Sequence, residues 1–135
     1  MIGACDGPTV IYVSNMFADL HKIDTAMVGA LAVAAGKTLR VVGKGGQTTL
    51  TVTNGLVNQG IIELTSEDAG FTANLTVTPG TLTNSTGGVI RVLQGAAGSR
   101  NFSGNLDNRG TLLVLAGTTL NVNATLLNTA SGILG

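Results

Sequence analysis

Three side chains near the start of the sequence carry the atoms of a nucleophilic site: Cys5, its neighbour Asp6, and His21, the only histidine. Nucleophilic catalysis needs a base within hydrogen-bond reach of the nucleophile and a third group that orients the base. Nothing in the spacing of these residues builds that arrangement, so all three read as structural. Glu63 and Arg91 each stand between two apolar residues, in Ile62-Glu63-Leu64 and Ile90-Arg91-Val92. Set one above the other at the strand spacing of about 4.8 Å, they read as an exposed ion pair. A lyase-type site would instead need several carboxylates or basic groups converging in one groove. Asp107 and Arg109 flank Asn108 and read as a solvated corner. No calcium-binding nonapeptide, CxxC pair, phosphate-binding Gly loop or His-Glu metal motif is present. The expectation is therefore a protein that is not an enzyme, with no catalytic residues, no metal site and no cofactor.

The asparagines carry a different signal. A Leu-x-Asn unit followed by Gly occurs at Leu56-Val57-Asn58, Leu82-Thr83-Asn84, Leu106-Asp107-Asn108 and Leu126-Leu127-Asn128, with the asparagines 26, 24 and 20 residues apart. That is the length of one solenoid coil, with loops of different size at the corners. Asn58, Asn84, Asn108 and Asn128 are expected to stack as a ladder that satisfies backbone groups at one corner. A glycan site on these asparagines is the lesser reading.

Other repeats agree. A Leu-x-Val unit recurs at Leu39, Leu50, Leu75 and Leu120, an alternation that places both branched side chains on one strand face. A third apolar strand follows each Gly, at Ile61–Leu64, Val89–Val92, Leu112–Leu115 and Ile133-Leu134, so three strands per coil and a triangular cross-section are predicted. Val33–Val41 also aligns with Val114–Val122, which starts the solenoid near residue 31. Asn54-Gly55, Pro79-Gly80, Gly87-Gly88 and Ala116-Gly117 supply the corner turns. Ser66–Thr72 and Gln94–Ser103 read as loops bulging from one corner, the natural place for a binding function.

The first thirty residues differ. Thr9–Val13 is β-branched and aromatic, hence a strand, and Met16, Leu20, Ile23 and Met27 have helical spacing, predicting a helix over 15–28. The expected organisation is a strand-helix cap over 1–30 and solenoid repeats over 31–135. The fold class is all-β: a parallel β-solenoid of about four coils with a short N-terminal strand-helix cap.

Composition narrows the function classes. Seven acidic and seven basic residues cancel and do not cluster, which excludes an electrostatic footprint for nucleic acid. Apolar residues make up 44% of the chain, enough for a core, yet the run Ala26–Ala35 falls short of the ~20 residues of a membrane helix, so no membrane span is expected. A single cysteine excludes an internal disulfide framework, and Met1-Ile2-Gly3-Ala4 has no basic region of a secretion signal. Asn74, Asn84, Asn101 and Asn123 open Asn-x-Ser/Thr sequences at a rate near chance for so Asn- and Thr-rich a chain. The pairs Thr51/Thr53 and Thr76/Thr78 would form an ice-binding array, but Asn121 and Asn123 break it in a later coil.

The Leu-x-Val, Leu-x-Asn and Gly units from residue 31 onward resemble the β-solenoid passengers of bacterial surface proteins, the filamentous haemagglutinin-type adhesins and autotransporters. The resemblance covers about three quarters of the chain and implies a β-helix at the cell surface or outside the cell. Locally, Ile2–Val13, with Gly3-Ala4-Cys5-Asp6-Gly7-Pro8-Thr9, is similar to a segment of the membrane β subunit of sodium-pumping decarboxylases, as is Met27–Ala35. That likeness implies a sodium-translocation role for Asp6; from Gly36 the chain departs from the pattern.

The expected function is a non-enzymatic, extracellular or cell-surface structural or adhesive module. After Arg109 the chain has no charged residue, and Leu126, Leu127, Ile133 and Leu134 crowd its last stretch. Self-association head to tail into a fibre is therefore expected, the chain itself being the principal partner and a glycan or host surface a further one. One alternative is a carbohydrate-binding or carbohydrate-active β-helix using the Ser66–Thr72 or Gln94–Ser103 loops, where Phe71 and Phe102 are the available aromatic platforms. The other is an engineered chain or a piece of a longer surface protein.

Overall fold

A computed structural model describes residues 10–13, 25–28, 31–67, 70–96 and 98–135. All regular structure in them is β, and every strand pairing is parallel. The chain is a parallel β-solenoid with three strand positions per turn, about four coils from Leu31 onward with further rungs ahead of them. The first face stacks β1 (Val10–Val13), β4 (Thr38–Gly43), β7 (Ile61–Ser66), β9 (Val89–Val92), β11 (Thr111–Val114) and β14 (Ile133–Leu134). The second stacks β2 (Thr25–Val28), β5 (Thr48–Val52), the first half of β8 (Ala73–Asn84), the first half of β10 (Arg100–Asn108), and β12 (Leu120–Asn123). The third stacks β3 (Leu31–Val33), β6 (Leu56–Asn58), the second halves of β8 and β10, and β13 (Leu126–Asn128). Strands β8 and β10 run unbroken round the corner between the second and third faces, joining these two faces into one eight-stranded sheet.

Alternation decides what points inward. In β5 the pattern Thr48-Thr49-Leu50-Thr51-Val52 buries every second residue, as a pleated strand with one solvated face requires. Parallel register then places like on like: Leu39, Ile62, Ile90, Leu112 and Leu134 form one inward column, and Leu31, Leu56, Leu82, Leu106 and Leu126 another. Leu50, Leu75, Phe102 and Val122 form a third. These columns, apart from Leu126 and Leu134, form the core, and burying one Leu contributes about 1.5–3 kcal/mol.

The structure corrects the sequence reading in four places. Thr25–Val28, the end of the expected helix, is a strand paired with β5; positions 15–24 of that helix lie outside the described residues. The described strands of the first thirty residues add rungs to the solenoid's own ladders, since β1 pairs β4. Gln94–Ser103 is not all loop, because Arg100–Ser103 opens β10 with Phe102 buried in the core. The aligned segments Val33–Val41 and Val114–Val122 turn different corners, third face to first and first face to second. The three faces share one strand pattern, which is why unlike corners align.

Candidate functional site

The asparagine ladder forms as the spacing implies. Asn58 donates through Nδ2 to Oδ1 of Asn84 at 2.8 Å, Asn84 to Asn108 at 2.7 Å, and Asn108 to Asn128 at 2.7 Å. The second proton of each donor goes to a backbone carbonyl, of Val89, Thr111 and Ile133 respectively. Asn58, Asn84 and Asn108 are buried, and the Oδ1 of Asn58, the first rung, accepts the Gly60 N–H at 3.1 Å. The ladder begins at Asn58 because Val33 holds that register position in the coil before it. Beside it runs a column of glycines, Gly60, Gly88, Gly110 and Gly132, each preceding a first-face strand. A Cβ on Gly88 would sit 2.5 Å from the Asn58 carbonyl oxygen and 2.6 Å from Asn84 Oδ1, so the bare backbone is what lets the amides in.

A second ladder, on the outer surface of the second face, escaped the sequence reading. Asn121 donates to Oδ1 of Asn101 at 2.8 Å, Asn101 to Asn74 at 2.6 Å, and Asn74 to Oγ1 of Thr49 at 3.2 Å. It runs opposite in sense, each amide donating to the coil before it. Register also moves the threonine rows: Asn121 stacks with Asn101, Asn74 and Thr49, whereas Asn123 stacks with Ser103, Thr76 and Thr51. The signal for this ladder was the shared position of Asn74, Asn101 and Asn121, one residue before Leu75, Phe102 and Val122.

Glu63 and Arg91 do meet across coils, but they are not an isolated exposed pair. The Glu63 carboxylate, its side chain 12% exposed, is bracketed by Arg40, whose Nε lies 2.9 Å from Oε1, and by Arg91, whose Nη2 binds Oε2. Arg40 also reaches Glu67 at 3.2 Å, and Lys44 reaches Glu67 at 3.0 Å. Five alternating charges thus stripe the first face, with both Glu63 oxygens held by guanidinium groups. Asp107 is more enclosed than a solvated corner, with its side chain 15% exposed, and takes Arg109 at 2.6 Å. That contact, a hydrogen bond reinforced by charge, raises the Arg109 guanidinium above its ordinary pKa.

The residue that sequence reasoning missed altogether is Arg100. It is fully buried, in the inward column of Thr48, Ala73 and Leu120. Its guanidinium donates to the carbonyl oxygens of Leu93 at 3.0 Å, Ser99 at 3.1 Å and Gln94, closing the corner that follows β9. Desolvation pushes its pKa below the ordinary arginine value. The inward parity it shares with Phe102 was its signal.

Cys5, Asp6 and His21 lie outside the described residues. Among the described residues no three His, Cys, Asp or Glu side chains gather as a metal site, and no helix is long and apolar enough to cross a membrane. In the coil of β12, β13 and β14, Leu126 is 37% exposed and Leu134 52% exposed, although both occupy inward columns. Comparison with protein-family models, with curated proteins and with solved structures returns no match.

Proposed function

We propose that this chain is a non-enzymatic structural module, extracellular or on a cell surface, that gains length by coil-on-coil stacking between copies. One observation carries the reading: the last coil presents core residues, Leu126 and Leu134, on a face that has the same columns as every internal coil interface. The surface that best fits such a face is another coil of the same kind, and a second copy of this chain carries such coils. Parallel addition of a strand to an open edge supplies backbone hydrogen bonds as well as apolar burial. Stacking the end of one copy on the start of the next is a heterologous contact that does not close, and it generates a fibre. The low charge of the chain and its investment in internally satisfied Asn ladders support a rigid, passive role. The resemblance of the repeats to bacterial surface solenoids supports the location.

Multi-angle light scattering and negative-stain electron microscopy of the whole chain test this. Filaments or a concentration-dependent rise in mass are expected, and Leu134→Lys abolishes them. A strictly monomeric protein at high concentration refutes self-stacking.

A further inference from the structure

We propose that the corner between the second and third faces carries a binding site for a neutral, hydroxyl-rich ligand, a saccharide unit. The site follows from a step in the coil outline. Between Val77 and Thr81 the coil of β8 inserts Thr78-Pro79-Gly80, whereas the next coil passes from Gly104, the partner of Val77, directly to Asn105, the partner of Thr81. The three extra residues overhang the narrower coils that follow. Beneath them is a recess of about 460 Å³, lined by Thr76, Thr78, Pro79, Ser103, Asn105 and Asn123. Its volume falls within the range of about 300–1,000 Å³ typical of small-ligand clefts.

Two glycines fix the shape of the recess. Gly104 has φ +120°, and a Cβ there would collide with the Val77 carbonyl; Gly80 has φ +112°, and a Cβ there would meet the Gly55 nitrogen at 2.5 Å. The corner coils are therefore in backbone contact, and the step is preorganised.

The chemistry of the lining points to the ligand class. On the neighbouring column, Asn121 and Asn101 spend their amide protons on the asparagine before them and Asn74 spends its own on Thr49 and the Thr48 carbonyl. The side chains of Thr76, Thr78, Ser103, Asn105 and Asn123, by contrast, make no hydrogen bond among the described residues. Thr76, Ser103 and Asn123 stand in register on successive coils, three hydrogen-bonding groups in a row at about 4.8 Å spacing, on the scale of a sugar ring. Hydroxyls and an amide both donate and accept, as a polyol does. None of the lining residues ionises, so the recess offers nothing to compensate a charged ligand, and Pro79 supplies an apolar wall for a sugar's C–H face.

The test is isothermal titration of the whole chain with neutral tetrasaccharides of glucose (α- and β-linked), mannose, xylose and N-acetylglucosamine, beside tetragalacturonate as the anionic probe. Saturable binding of at least one neutral probe is expected, with a Kd on the order of 1 mM. The affinity falls at least tenfold in the double variant Ser103→Val/Asn123→Val and in Thr78→Val, an exposed position on the overhang, while Glu67→Gln on the first face leaves it unchanged. No binding of any neutral probe at concentrations about ten times that Kd overturns the proposal. So does binding that survives both recess variants, or binding confined to tetragalacturonate. The outcome is independent of self-stacking, since it is read on the chain whether monomeric or assembled.

Discussion

Asn84 and Asn108 are joined side chain to side chain at 2.7 Å inside the solenoid wall, although 24 residues separate them in the chain. Asn84 also donates to the Thr111 carbonyl at 3.0 Å and accepts from Asn58 at 2.8 Å. Replacing it with Ala leaves the Asn58 amide, the Asn108 oxygen and the Thr111 carbonyl short of a partner. Each orphaned buried group costs about 1–3 kcal/mol, so Asn84→Ala should lower the unfolding free energy by about 3 kcal/mol or more. Asn128→Ala, at the exposed end of the same ladder, leaves one proton of the Asn108 amide without its partner where water can replace it, and should cost only about 1 kcal/mol. Urea unfolding of the two variants checks the contrast; equal losses would show that the ladder is not the source.

The glycine column gives a sharper prediction. A Cβ on Gly110 would overlap the backbone carbonyls of Gly88 and Ser85, which belong to the coil above and cannot move independently. Gly110→Ala should cost at least about 3 kcal/mol, more than the ~1 kcal/mol usual for a single substitution. Gly36→Ala, where a Cβ meets nothing within 4 Å but φ is +80°, should cost about 1–2 kcal/mol, in the range of left-handed strain alone. Thermal melts that rank the two the other way would contradict this packing.

The ladder and the column were legible from spacing, because an in-register parallel stack turns spatial identity into sequence period. Asn58, Asn84, Asn108 and Asn128 each follow an inward Leu by two residues, and that parity survives any corner insertion. What spacing did not carry was where corners end and strands begin. Arg100 looked like loop because Gly95, Ala96 and Gly98 precede it, yet its parity with Phe102 places it inside. Met27 continues a three-to-four spacing that predicts helix over Thr25–Val28, whereas pairing to β5 makes it strand. Tertiary pairing overrides a short local pattern of this kind. The recess under Thr78-Pro79-Gly80 was invisible for another reason: it depends on the difference in length between two consecutive corners, which neither corner states alone.

Arg100→Met keeps most of the side-chain volume and removes the charge. Replacing a buried ion with an apolar residue is often neutral when its partner leaves too, but here the partners are main-chain carbonyls that stay. A loss of about 2–4 kcal/mol is expected, because relief of desolvation does not compensate orphaned acceptors. The pH dependence has a definite sign. Desolvation lowers the folded-state pKa, so the penalty is fully present below that value and relieved only as pH rises through it, in the strongly alkaline range. Between about pH 5 and 9 the difference in stability between Arg100→Met and the parent should therefore stay flat. A slope in that window, followed by urea midpoints, would mean that another group titrates with it.

Glu63→Gln tests the charge stripe. The carboxylate bridges Arg40 and Arg91 on the first face, and its loss leaves two guanidinium groups facing a neutral amide. The pairs are partly exposed, which limits the effect to about 1–2 kcal/mol. Salt screens such contacts, so the difference from the parent should narrow between 50 mM and 1 M sodium chloride. A difference that does not change with salt would assign the loss to packing rather than charge.

The last prediction separates the two faces of the final coil. By register, Leu126 and Leu134 continue inward columns, whereas Leu127 continues the outward row of Val57, Thr83 and Asp107. All three are exposed, at 37%, 52% and 56%. If copies stack coil on coil, only the inward pair is buried by the contact, and each Leu so buried contributes about 1.5–3 kcal/mol. Placing a lysine at Leu126 or Leu134 removes that term and sets an ammonium group in the interface. The concentration at which assembly begins should rise at least tenfold for either variant, tenfold corresponding to about 1.4 kcal/mol. Leu127→Lys points away from the next coil and should assemble at a concentration within about threefold of the parent, since exposed charges of this kind contribute little. Unfolding of the separated chains should be nearly unchanged in all three, because the side chains are already solvated there. Light scattering against concentration reads the order directly: inhibition by Leu127→Lys as strong as by Leu134→Lys would place the contact on the lateral surface and rule out end-to-end stacking.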